Sequence, residues 1–141
     1  MRRITHLGGA RATLGAGLVL LVADDARVGA AVLLANASSH LVVQALKRLV
    51  ARARPCDPSG VSLALVDLPD PFSFPSGHAA AVTAVAATVS YAHPAAGLLA
   101  LPVAVAVCAS RVQLRVHHVS DVLAGALLGL GGAILATLVV F

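Results

Sequence analysis

Apolar residues run through this chain in long blocks broken at a few polar points, and the blocks have the length of helices that cross a bilayer, about 20 residues each. Five are predicted. The first runs from Ile4 to Ala23, interrupted by Arg11, and ends at the polar break of Asp24, Asp25 and Arg27. The second runs from Val28 to Val50. A stretch rich in Pro, Asp and Ser follows from Pro55 to Phe74, with a short apolar piece, Val61 to Val66, suited to lie at the lipid surface. The third block opens at Ser76, a helix N-cap residue placed just after Pro75, and ends near Tyr91, before His93-Pro94. The fourth covers Ala96 to Arg111 and the fifth Ser120 to Phe141. The fifth contains Gly125-x3-Gly129, a spacing that lets membrane helices approach closely.

Irregular backbone is costly in lipid, so the expected fold is all-α, a polytopic transmembrane bundle of about five spans forming a single domain over residues 1–141. Threading the blocks back and forth puts four places on one side: the end of the second, the start of the third, the end of the fourth and the start of the fifth. Nearly all the unusual polar residues fall there.

Composition agrees. Hydrophobic residues make up 59% and charged residues 11%, too apolar for an ordinary soluble domain. With aromatics at 3%, the apolar mass is Ala, Val and Leu. The net charge of +4 contains no block of five like charges, which argues against a nucleic-acid tail. Basic residues gather instead at 47–54 and 111–115, pointing to an anionic ligand. Cys56 and Cys108 have no metal-ligand spacing and read as filler. Arg2 and Arg3 precede no apolar core with a small-residue cleavage site, so a removed signal peptide is not expected.

Three polar clusters carry candidate chemistry. In the first, Lys47 and Arg54-Pro55 lie seven residues apart, about two helical turns, and share a face if the helix continues. Asn36, His40 and Gln44 form a polar stripe ahead of them, and polar residues in a span face the bundle interior. The plain alternative is a basic membrane anchor, which suits Arg48 and Arg52. The second cluster is Pro75-Ser76-Gly77-His78, where glycine and a helix N-terminus offer N–H groups to an anion. By itself it also reads as a simple cap. The third is Ser110-Arg111, His117 and Asp121. A carboxylate four residues from an imidazole can fix its tautomer and free the other nitrogen to attack. His118, three residues from Asp121, is a rival, and Asp121 also suits a helix dipole.

Taken together, Lys47-x6-Arg54-Pro55, Pro75-Ser76-Gly77-His78 and Ser110-Arg111-x5-His117-x3-Asp121 resemble in full the three-part signature of the type 2 phosphatidic acid phosphatases. These lipid phosphate phosphatases share their site with the vanadium haloperoxidases. The resemblance covers residues 28 to 141 and favours His117 over His118 by its spacing. It implies hydrolysis of a phosphate monoester or diphosphate on a phospholipid or polyprenyl lipid, through a phosphohistidine, with no metal and no cofactor. His117 would be the nucleophile, Asp121 its support and His78 the general acid. Lys47, Arg54, Arg111, Ser76 and the Gly77 N–H would bind phosphate. The implied partners are the lipid substrate and the bilayer.

Members of that family commonly have six spans and carry the first motif on the third, so an N-terminal helix is expected to be missing here. The family places its site outside the cytoplasm. Arg2, Arg3, Arg48, Arg52 and Arg115 on the same side would favour the cytoplasm by the positive-inside rule. The family's placement, in a bacterial cell membrane, is the expectation adopted. Two other functions compete: a non-enzymatic protein that binds anionic lipid, and a vanadate-dependent haloperoxidase, whose soluble scaffold conflicts with five apolar blocks.

Overall fold

A computed structural model describes residues 1, 3–23, 26–68 and 70–141. It is all-helical among these residues: a 3-10 turn at Ile4–Gly8, then α1 (Ala10–Ala23), α2 (Ala26–Val50), α3 (Gly77–Ala92), α4 (Pro94–Gln113) and α5 (Val119–Val140). Two isolated bridges, Ala53 with Phe72 and Cys56 with Ser62, tie the long loop between α2 and α3. Asp24 and Asp25, two of the three residues of the expected polar break, lie outside the described residues, as does Arg2. Arg27, expected in that break, belongs to the first turn of α2.

The bundle is built around α3, which packs against every other helix. Its neighbours come close because the contact residues are small. Ala31 and Ala35 of α2, Ala84 of α3, and Ala133 and Ala136 of α5 form one buried cluster. A second joins Val82 and Ala86 of α3 to Ala104 and Val107 of α4. A Cβ on Gly125 would strike the Ser76 carbonyl, and one on Gly129 the Ala80 carbonyl, so both positions of the Gly-x3-Gly pair are needed for α5 to lie on α3. The outer faces carry large apolar side chains, among them Leu98 and Leu99 of α4 and Leu127 and Leu138 of α5. In water such a surface would be unfavourable; against acyl chains it is not.

Three helices, α2, α4 and α5, are long and apolar enough to cross a membrane, and Ala10–Val22 of α1 is apolar but shorter. The first predicted block is thus divided. Gly9, extended at φ −74° and ψ 156°, separates the 3-10 turn from α1. The stretch from Val61 to Val66 forms no helix; Leu65 N–H donates to the Leu114 carbonyl, fastening the loop to the end of α4.

The expectation that Lys47 and Arg54 share one continuing helix face is not met. The helix stops at Val50 because Ala51 adopts the left-handed conformation at φ 46°, its N–H closing on the Lys47 carbonyl. Arg54 therefore reaches the site from irregular backbone. Ser76 caps α3, its hydroxyl accepting from Ala79 N–H at 3.5 Å, and its own N–H donates to the Asp121 carbonyl. That bond joins the starts of α3 and α5. Arg115, left-handed at φ 56°, turns the chain after α4 so that Val116 and His117 fold back inward.

Candidate active site

At the polar end of the bundle a cavity of about 450 Å³ opens between α1, α2 and α3. Six of the predicted site residues line it: Lys47, Arg54, Gly77, His78, Arg111 and His117. Ser76 and Asp121, both fully buried, stand behind the wall. His118 does not line the cavity, and its side chain is 39% exposed.

His117 is held by a main-chain group. Its Nδ1 lies 2.6 Å from the Ser73 carbonyl, which can only accept, so Nδ1 carries the proton and Nε2 keeps its lone pair. Burial first, then the charges of Arg111 and Arg54, push its pKa down to about 3 against the opposing pull of Ser73 and Asp121. The ring is neutral at physiological pH, the state a nitrogen nucleophile needs. Asp121, expected to orient it, has its Oδ2 3.8 Å from Nδ1, beyond hydrogen-bond reach. The same oxygen accepts from His118 N–H at 2.8 Å and lies 3.2 Å from His118 Nδ1. Its partner Oδ1 accepts from Arg52 at 2.8 Å. Asp121 thus caps α5 and offers His117 a nearby negative charge, while Ser73 sets the tautomer.

Two of the three cations are paired, and the pairing residue is one that sequence motifs do not mark. Lys47 Nζ donates to both oxygens of Asp70, at 2.9 and 2.8 Å, and to the Phe72 carbonyl. Arg54 donates to Asp70 Oδ1 at 3.2 Å, to the Asp70 carbonyl and to the Val116 carbonyl. Burial disfavours the Asp70 charge, but the Lys47 hydrogen bond and the two cations outweigh it and hold the carboxyl below its usual range. Arg52, expected as a membrane anchor, is likewise engaged, with Asp121 and Ser120.

Arg111 differs from both. It is 4% exposed, its NH1 donates to Thr5 Oγ1 at 2.6 Å, and its buried Nε has no partner among the described residues. A buried cation without a carboxylate is costly, and an anion in the cavity would offset that cost. The contact also brings in an element unmarked by motif: the N-terminal 3-10 turn, whose Thr5 reaches Arg111 and whose end at Gly8 packs against His78. The N–H groups of Gly77 and His78, in the first turn of α3, add donors that a helix leaves without main-chain partners. Three cations against one carboxylate, free helix-end N–H groups and a neutral imidazole suit a phosphate dianion and transfer of its phosphoryl group. Among the described residues no three His, Cys, Asp or Glu side chains gather as a metal site.

The chain is similar in sequence and in fold to several known proteins. Decaprenylphosphoryl-5-phosphoribose phosphatase of Mycobacterium tuberculosis is 40% identical over 94 residues, 64% of this chain and 49% of that protein. Its counterpart in Mycolicibacterium smegmatis is 39% identical over 101 residues, 70% of this chain and 50% of that protein. The chain spans about half the length of the curated relatives it matches. Among solved structures, the transmembrane PAP2-type phosphatidylglycerolphosphate phosphatase of Bacillus subtilis superposes with a TM-score of 0.79 at 30% identity, over 96% of this chain and 72% of that one. LpxE of Aquifex aeolicus has the same fold, with a TM-score of 0.84 at 23% identity over 96% and 82% of the two chains. The PAP2 superfamily model matches residues 28–141, the span that holds all three motifs. With six of its signature residues lining one cavity and the family model matching most of its length, the chain belongs to the PAP2 superfamily.

Proposed function

We propose that this protein is a membrane lipid phosphatase that removes a phosphate from a phospholipid or polyprenyl lipid through a phosphohistidine on His117, using no metal. The observation that carries the reading is the buried Arg111, which has no carboxylate partner among the described residues, beside a neutral His117. The family and its phosphatase relatives support the same chemistry.

In the first step His117 Nε2 attacks phosphorus and the bond from phosphorus to the lipid oxygen breaks. The bound phosphate dianion offsets the burial and the cations that disfavour a charged His78, and the ring so protonated gives its proton to that oxygen. Lys47, Arg54, Arg111 and the Gly77 N–H hold the equatorial oxygens, where charge develops. The planar forks of the arginines suit paired oxygens. Ser76 acts by capping α3 and so aiming those N–H groups. The phosphorylated ring retains its Nδ1 proton on the Ser73 carbonyl, and the Asp121 carboxylate stabilises its positive charge. In the second step His78 accepts a proton from water, the resulting oxygen attacks phosphorus, the nitrogen–phosphorus bond breaks and phosphate leaves.

The test is rapid-quench trapping of the phosphoenzyme, with the protein in detergent and excess chelator. Acid-labile, base-stable label on the wild type and on His118→Ala, and none on His117→Ala, is the expected pattern. His78→Ala should slow labelling by a lipid monoester about 10²–10⁴-fold, and far less by an aryl phosphate that leaves without a proton. Label on His117→Ala, or activity that returns only with Mg²⁺, would refute the mechanism.

A further inference from the structure

The cavity's one cation without a carboxylate is held from the far end of the chain. Thr5 belongs to the 3-10 turn Ile4–Gly8, ahead of residue 28, where the match to the PAP2 superfamily begins. It is nonetheless buried. A hydroxyl taken out of water needs a hydrogen-bond partner. Here the partner is charged: Thr5 Oγ1 accepts from Arg111 NH1 at 2.6 Å. The seat that brings it there is tight, with the turn packed on α3 and α4. At its end, a Cβ on Gly8 would lie 2.6 Å from Val107 Cγ1 and 3.1 Å from the His78 carbonyl, so only glycine comes this close.

A guanidinium is a rigid plane whose five N–H groups point in fixed directions. Nε–H and one N–H of NH2 point the same way and form one edge; NH1 lies on the other side. Thr5 holds NH1, while Nε and NH2 have no hydrogen-bond partner among the described residues. With NH1 anchored, the direction of the Nε–NH2 edge is set before any ligand arrives. Ordering one long side chain at the moment of binding costs about two- to tenfold in affinity. Lys47 and Arg54 are ordered by Asp70, whose carboxylate also offsets their charge. A threonine hydroxyl is neutral, so it orders Arg111 and leaves the charge whole.

We propose that Thr5 is a positioning residue for phosphate binding, anchoring Arg111 through NH1 so that its Nε–NH2 edge meets two phosphate oxygens. This rests on the reading of Arg111 as a phosphate ligand and adds to it a residue from outside the family match.

The test is the Kd of inorganic phosphate for the full chain in detergent, by calorimetry, which needs no turnover. Thr5→Val keeps the shape and removes the acceptor, and should weaken phosphate about fivefold or more. Thr5→Ser should stay within about twofold of wild type, and Thr5→Ala should fall with Thr5→Val. The Ser and Ala variants both lack the methyl group and differ only in the hydroxyl, so they decide the matter even if Thr5→Val does not fold. Thermal unfolding without phosphate shows which variants are folded. In an Arg111→Lys background the effect of Thr5→Val should shrink below about twofold, because an ammonium is a point charge with rotatable donors and has no edge to aim. Wild-type affinity in folded Thr5→Ala, or the same loss in the Arg111→Lys background, overturns the role of Thr5. The expected pattern without hydrolysis of any lipid phosphate by the wild type would overturn the phosphatase reading and keep that role; a wild type that binds no phosphate would remove both.

Discussion

At the residue scale, the site balances charge through side chains outside the signature. Asp70 spans Lys47 and Arg54, so on the proposed reading a phosphate dianion arriving there meets a carboxylate already on those cations. Removing that charge should favour the dianion. Ion pairs with this degree of exposure are worth up to about 1 kcal/mol, so Asp70→Asn should tighten inhibition by vanadate or inorganic phosphate roughly fivefold. The inhibition constant measures it. Weaker inhibition would mean that Asp70 mainly organises the two cations and that its loss scatters them. Asp121 has a comparable double part: it accepts from Arg52 and from the N–H of His118, the N-cap of α5, with His117 within reach of its charge.

At the element scale, the starts of α3 and α5 must be brought together, and glycine does this. The Ser76 N–H bond to the Asp121 carbonyl holds only while α5 lies on α3, which in turn needs Gly125 and Gly129. Gly131, two residues on, has open space where a Cβ would stand. Gly129→Ala should therefore destabilise the protein by about 1–3 kcal/mol through overpacking, and lower activity with it. Gly131→Ala should be neutral or stabilising by up to about 1 kcal/mol, from helix propensity alone. Thermal unfolding of both variants in detergent compares them, and equal midpoints would show that α3 and α5 do not depend on this contact. The ending of α2 at Ala51 matters as much, since it releases residues 52–54 from the helix and lets Arg52 and Arg54 point to different partners.

At the scale of the whole molecule, charge bears on orientation in the membrane. Lys47, Arg54 and Arg111 belong to the cavity, and Arg52 is paired with Asp121, which leaves fewer basic residues to act as topological anchors. That weakens the positive-inside argument for a cytoplasmic site. With the cavity on the extracytoplasmic side, α5 starts at the site and carries Phe141 to the other face, so a reporter fused to the C-terminus should read as cytoplasmic. An external reporter would reverse the orientation and leave the chemistry as it is.

Helix positions, the bundle class and the three motifs could be read from residue identity and spacing, because apolar length, caps and signature side chains are local properties. The predicted third block at Ser76 and the observed α3 at Gly77 differ by a cap residue, and the fifth block starts one residue from α5. What holds the His117 ring could not be read. The group that fixes His117 is a carbonyl, which every residue has, and Ser73 lies 44 positions away. Asp70, Arg52 and Thr5 were equally unmarked, because their partners are 16 to 106 residues distant and are chosen by the path of the irregular chain, which has no periodicity to reveal it. The sequence by itself determined which side chains are the candidates for chemistry and which end of the bundle they reach. Only the tertiary structure decided how each is held, since close contacts between distant segments depend on backbone geometry that side-chain identity does not encode.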